Sequence, residues 1–449
     1  MALVTPAREA AFKILMAVER GNVHADDFLR GRAVNALAQT DRNLATTLVL
    51  GVLRWQLLLD QQIKKLLSKP GAKLDAEVLI SLRMGAFQLL YLDRIPAHAA
   101  VGESVELAKQ AGHSFAANMV NAVLRKLEPK SGGYVFTDAD CEAAHPAWLV
   151  ERWQRAYGEN ATRTICRHGQ RQPELAVRLA DANAERELSS AGIGLAPGRL
   201  LAGARTLTSG DVAATESFHN GRARIQDEGS QLIAEIAAST GRVQKIESII
   251  DACAAPGGKT MILAERNPEA RIVACESSQQ RLAALRERVA GFGDRIECRL
   301  ADAAALNETA KYDLALVDVP CSGTGTLGRN PEIRHRLRIE DLPGHADRQK
   351  AIVRAVVTAV RPGGRVVYST CSLEPEENEQ VIDGVLSEIS ELRRIPLDGR
   401  INALRDAGIV NGEGAERLPG CVTAEGALRL IPGALGTDGF FVVMLEKAN

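Results

Sequence analysis

IESIIDACAAPGGKT, residues 246–260, decides the fold of this chain. A short β-branched run closes on Asp251, and a turn carrying Gly257 and Gly258 leads into a helical stretch. Adjacent glycines at that point let the backbone approach a ligand closely. Further apolar runs follow at 271–275 (RIVAC), 295–300 (RIECRL), 312–319 (YDLALVDV) and 364–370 (GRVVYST), alternating with helical segments; GFFVVMLEK (439–447) supplies a last strand. Strands in such alternation predict an α/β fold with a doubly wound, mostly parallel sheet. Ligands of these sheets sit beyond the carboxyl ends of the strands.

The loop itself discriminates among ligands. A P-loop requires G-x-x-x-x-G-K-[ST]; Gly258-Lys259-Thr260 matches its end, but Cys253 stands at the first glycine position. The dinucleotide fingerprint G-x-G-x-x-G is absent. An adenosyl cofactor without a polyphosphate remains. Glu276, Asp302 and Asp318 end the next three strand runs, so three acids fall at one edge of the expected sheet. A carboxylate such as Glu276 there can accept hydrogen bonds from ribose hydroxyls.

Two further segments carry chemistry: DVPCSGTGTLGRNPEIR (318–334) and YSTCSLEPEENE (368–379). Each places a cysteine, Cys321 or Cys371, just past a strand in polar, turn-rich surroundings. The other cysteines outside the loop, at 141, 166, 275, 298 and 421, read as small buried hydrophobes. Carbon 5 of cytosine is a poor nucleophile until something adds at carbon 6, and a thiolate adds readily. By chemistry alone either cysteine serves. A carboxylate sharing a proton with N3, a part assigned to Asp318, would stabilise the adduct. The base must be unstacked for such an attack.

Around this core the chain divides further. Residues 1–130 read as helices, opened by Thr5-Pro6 and broken at Gly21, with runs at 41–67, 75–91, 98–111 and 114–128. They carry 17 basic against 12 acidic residues, the remainder 38 against 44, a bias that suits an anionic partner. Residues 131–145 form an expected linker, and 146–245 a small α/β module with a helix near 148–157 and a strand at 174–180. The 449 residues carry 46% apolar and 25% charged side chains, ordinary for folded domains. No apolar run reaches the roughly 20 residues of a membrane span, and no signal peptide opens the sequence. Scattered cysteines and histidines predict no metal site and no disulfides. A cytoplasmic protein is expected.

These motifs resemble the bacterial ribosomal RNA small-subunit methyltransferase B family (Sun/Fmu), within the NOP2/Sun group. The likeness runs through DACAAPGGKT, the Pro-Cys and Thr-Cys segments, QDEGSQL (226–232), HPAWLVERW (145–153) and NusB-like N-terminal helices that include LVLGVLRWQLLLD. It implies a Rossmann-like class I methyltransferase domain at 246–449, preceded by a NusB-like RNA-binding domain and a small RNA-holding module. It implies S-adenosyl-L-methionine as cofactor, contacted by Cys253, Ala254, Ala255, Pro256, Gly257, Gly258, Lys259, Glu276, Asp302 and Asp318. It further implies Cys371 as nucleophile, Cys321 in resolving the adduct, and an unstacked cytosine of 16S rRNA as substrate. Glu276 stands where Asp is common, Val319 where Ala is common and Gly229 where Ala is usual. Lys259 either orients Asp318 or the base, or caps its loop; the basic run 334–350 either meets phosphates or is an exposed helix. Transfer RNA is the alternative substrate, and an RNA-binding factor with a vestigial catalytic domain the alternative class.

Overall fold

The computed structural model describes residues 4–21, 23–69, 71–127, 136–238 and 246–448. They form two compact units: residues 1–172 together with 327–336, and residues 173–326 together with 337–449.

The first unit is helical. Its principal helices span Pro6–Arg20, Gln39–Leu66, Ala76–Tyr91, Ala97–Gln110 and Ala117–Arg125, close to the expected runs. Ile14, Leu48, Leu59, Ile80, Leu82, Met84 and Leu124 build one core between them. Pro6 occupies the first helical turn as expected, but the Thr5 hydroxyl does not cap the helix. It donates to Glu103 instead, at 2.8 Å. The buried guanidinium of Arg8 pairs with the same carboxylate at 2.9 Å, which explains the choice: a buried charge needs its partners filled. The expected linker is partly structured, because Asp138–Ala143 is a helix opened by a Thr137–Asp140 capping box; residues 131–135 of that stretch lie outside the described residues. The helix expected near 148–157 runs over Ala147–Gly169, interrupted at Gly158, whose φ of 78° lies in the left-handed region.

The second unit holds two sheets. The smaller is antiparallel, with β1 Ala176–Leu179, β2 Gly194–Pro197, β3 Ala204–Ser209 and β4 Ala223–Ile225 in the order β2-β3-β1-β4. The larger comprises β5 Ser248–Asp251, β6 Arg271–Glu276, β7 Ile296–Leu300, β8 Tyr312–Asp318, β9 Val360–Thr370, β10 Leu392–Ile395, β11 Leu428–Leu430 and β12 Phe440–Lys447. Its order is β10-β12-β9-β8-β5-β6-β7, with β11 beside β12. Strands β5 to β9 pair in parallel, while β12 runs antiparallel to β9. This is the doubly wound Rossmann-like sheet expected. The direction of winding reverses between β5 and β8, which makes the carboxyl ends of these strands the switch point. Gly229 has a local reason: a Cβ there would lie 2.8 Å from the Phe440 ring.

Candidate active site

The loop after β5 folds as its glycines require. Gly257 adopts φ 97° at the start of the helix Gly258–Arg266, and a Cβ on it would meet Leu285 at 2.8 Å. Asp251, fully enclosed beneath the loop, receives the Thr260 hydroxyl at 2.7 Å. Burial pushes its carboxyl up to about 6. Burial also drives the Cys253 thiol far above its ordinary range, so this sulfur stays protonated.

The three expected acids take different positions. Glu276 ends β6, is buried, and accepts the Ser278 amide at 2.8 Å, with Arg281 at 3.4 Å. Asp302 lies two residues beyond β7 and is exposed; it accepts the Ala304 amide and faces Arg348 at 3.2 Å. Asp318 ends β8. One of its oxygens takes the Lys259 ammonium at 2.7 Å and the other the Ser369 hydroxyl at 2.6 Å. Burial alone would depress the Lys259 ammonium, but the charge and hydrogen bond of Asp318 outweigh it and leave it raised. Lys259 is thus paired with Asp318 in the folded chain.

The parallel pairing of β8 with β9 sets Asp318 against Ser369, so the chain leaves both strands side by side. As a result Cys321 and Cys371, fifty residues apart in sequence, lie with their sulfurs 3.3 Å from one another. The turns close on each other through backbone: the Gly325 amide donates to Cys371 O at 2.8 Å, and a Cβ at 325 would lie 2.4 Å from Gly439 O. The hydrogen bond to Cys371, burial and the nearby Glu377 carboxylate hold the Cys321 thiol well above the ordinary range. Cys321 can thus stay protonated and donate its S–H to the Cys371 sulfur.

Beneath the thiols is a buried polar cluster absent from the expected site: Ser322, Ser372, Gln349 and Glu377. Its one visible sign in the sequence is the acid-rich EPEENE directly after the Thr-Cys motif. Among the remaining cysteines, Cys141, Cys166 and Cys275 are buried as expected, whereas Cys298 and Cys421 are partly exposed at the rim of their core. The basic run after 334 also departs from expectation at its start. The Arg334 guanidinium is 1% exposed and donates to Gly169 O, Ala144 O and the Gln170 side chain. His335 bonds Leu53 O, and Arg336 bonds Val18 O. These groups hold the first unit together and do not form an exposed basic helix.

Comparison with known proteins agrees with this architecture. Residues 240–446 match the model of the 16S rRNA methyltransferase RsmB/F family, residues 5–129 that of the NusB family, and residues 145–209 that of the ferredoxin-like domain of RsmF/B-like methyltransferases. The crystal structure of PH0851 superposes over the full length of both chains with a TM-score of 0.79 at 22% identity. NSun6 from Pyrococcus horikoshii with SFG covers 68% of this chain and 98% of its own, with a TM-score of 0.55 at 18% identity. Fold and motif together define a class I methyltransferase carrying a helical NusB-type extension. Probable ribosomal RNA small subunit methyltransferase B of Bacillus subtilis is 32% identical across 99% of both chains. Its counterpart in Pseudomonas syringae is 31% identical over 98% of this chain and 96% of its own. The chain belongs to the ribosomal RNA small subunit methyltransferase B family. Among the described residues, no helix is long and apolar enough to cross a membrane.

Proposed function

We propose that this protein transfers a methyl group from S-adenosyl-L-methionine to carbon 5 of a specific cytosine in 16S rRNA, with Cys371 as nucleophile. The observation that carries the reading is the pair of sulfurs at 3.3 Å beside the Lys259–Asp318 pair, at the switch point of the sheet. Family membership adds to it, because relatives spanning the same length are named as ribosomal RNA small subunit methyltransferases.

The loop fits an adenosyl group better than a polyphosphate. Its lysine is engaged by Asp318 and is not free to grip phosphate, and carboxylates, not arginines, end the neighbouring strands. Residues Cys253 to Lys259 would hold the cofactor with their backbone, Glu276 would take ribose hydroxyls, and Asp302 and Asp318 would line the remainder. When bound, the cofactor supplies an electrophilic methyl group on sulfur.

The protein's part begins with Cys371. Its thiolate adds to carbon 6, forming an S–C bond and placing an electron pair at carbon 5. Asp318, held by Lys259 and Ser369, shares a proton with N3 and steadies the charge that develops there. After methylation, loss of the carbon-5 proton to a base and departure of the Cys371 sulfur restore the ring. Cys321 belongs to this resolving step, beside the bond that must break. The target has to leave its stack to reach the thiols, and the basic helical unit serves to hold the surrounding RNA.

The test is a denaturing gel of wild type, Cys321→Ala and Cys371→Ala after incubation with unmodified small-subunit RNA and cofactor. Cys321→Ala is expected to accumulate a slow, RNase-sensitive protein–RNA adduct. Cys371→Ala should show neither adduct nor methyl transfer while binding S-adenosylhomocysteine nearly as wild type does. An adduct in Cys371→Ala alone would exchange the two roles, and substantial turnover by that variant would remove the nucleophile assignment.

A further inference from the structure

One carboxylate under the thiols takes no part in the chemistry above. Glu377 is wholly buried, and among the described residues no charged side chain is bonded to its carboxylate. Four donors converge on its two oxygens: the Ser322 amide at 2.8 Å and Gln349 Nε2 at 3.0 Å on one, and the hydroxyls of Ser322 and Ser372 on the other. Each serine directly follows a cysteine, Ser322 after Cys321 and Ser372 after Cys371. Their hydroxyls lie 3.1 Å apart. Gln349 also donates to Pro320 O at 3.0 Å, so the residues on both sides of Cys321 are tied to the same centre.

A buried carboxylate is costly unless its lone pairs are filled, and here every position faces a donor. Glutamine of the same shape keeps one acceptor for the Ser322 amide and Gln349, but it removes the charge and makes both serine hydroxyls turn round and accept from its N–H groups. Only the carboxylate accepts from both turns at once.

We propose that Glu377 is a positioning residue, a clasp that joins the Pro-Cys and Thr-Cys turns through Ser322 and Ser372 and so sets the Cys321 thiol against the Cys371 sulfur. The inference rests on the reading of these cysteines as a working pair. The carboxylate's charge is also one of the causes that keep Cys321 protonated, after the Cys371 sulfur and burial.

The experiment measures juxtaposition separately from turnover, on the full-length chain. Diamide oxidises the free protein, and mass spectrometry follows the rate at which Cys321 and Cys371 join in a disulfide; no RNA or cofactor is needed. Glu377→Gln should slow this joining and lower kcat, each by roughly 10–100-fold, as a displacement near 1 Å of a reacting group does. KM for RNA and affinity for S-adenosylhomocysteine should stay close to wild type, which a general loss of structure would not allow. Glu377→Asp, which restores an acceptor, should recover part of both rates. If Glu377→Gln does not fold, Ser372→Ala cuts one strap alone and should slow joining in the same direction. Joining and kcat both unchanged in a folded variant would overturn the clasp. Slowed joining in a protein whose wild type neither methylates RNA nor forms an adduct would keep the clasp and instead reject the proposed function.

Discussion

Asp318 is the residue on which the site turns. It ends a strand, so its position is set by the sheet, and its two oxygens are claimed by Lys259 and Ser369 at 2.7 and 2.6 Å. A carboxylate so held is oriented before any substrate arrives, which is what proton sharing with a base requires. Asp318→Asn preserves the shape but faces the Lys259 ammonium with an amide, which accepts at one atom and carries no charge. Single-turnover methyl transfer should fall by roughly 10²–10⁴-fold, the usual weight of a positioned acid or base. A rate within threefold of wild type, roughly 0.65 kcal/mol, would show that Asp318 does not act on the base. The sequence could name Asp318 as one of several parts for Lys259 but could not choose among them, because 59 residues separate the two and only the fold brings them together.

At the scale of elements, close packing between helices explains glycines that no turn requires. Gly51 lies within the helix Gln39–Leu66, and a Cβ there would sit 2.0 Å from the Phe87 ring of the helix Ala76–Tyr91. Phe87 is itself buried and stacks on Tyr91 with ring centroids 5.4 Å apart, so the ring has little room to yield. Gly51→Ala improves helix propensity and would be expected to stabilise an isolated helix. Overpacking outweighs that gain, and the variant should lose about 1–3 kcal/mol in urea unfolding. An unchanged or raised midpoint would mean that the two helices separate more easily than their contact implies. Both helices were legible from periodicity; their point of contact was not, since nothing local to Gly51 specifies an aromatic ring 36 residues away.

At the scale of the whole molecule, residues 327–336 fold with the first unit although they lie inside the catalytic half of the sequence. Arg334 and His335 become interior groups of that unit, and the consequence is a pH dependence. Burial lowers His335 to about 4 and takes His145 well below its ordinary range. For a base depressed in the folded state, the unfolded chain binds more protons between the two pKa values. Stability is therefore complete above about 6.5 and is lost as pH falls toward 4. His24, raised chiefly by its hydrogen bond to Glu332, acts in the opposite sense, but it is half-exposed and offsets only part of this. Moving from pH 7.5 to 5.0 should cost the first unit about 1–3 kcal/mol. His335→Gln keeps a donor for Leu53 O without titrating and should reduce that loss. Equal unfolding midpoints at the two pH values in wild type would contradict the assignment.

The sequence by itself determined the elements and the edge where chemistry gathers. β-branched runs, a glycine turn and helical periodicity act over a few residues, and a strand's end is a local property, so the loop at 251–260, Glu276, Asp318 and both cysteines could be placed at one edge of one sheet. Only the tertiary structure decided which of these groups touch and which are shielded. It put the two sulfurs 3.3 Å apart, gave Lys259 to Asp318, left Asp302 exposed, and withdrew Arg334 from the surface. It also showed Glu377 beneath both thiols. Burial and hydrogen-bond partnership arise from the packing of segments distant in the chain, and a residue's own neighbours carry no record of what lies across the core.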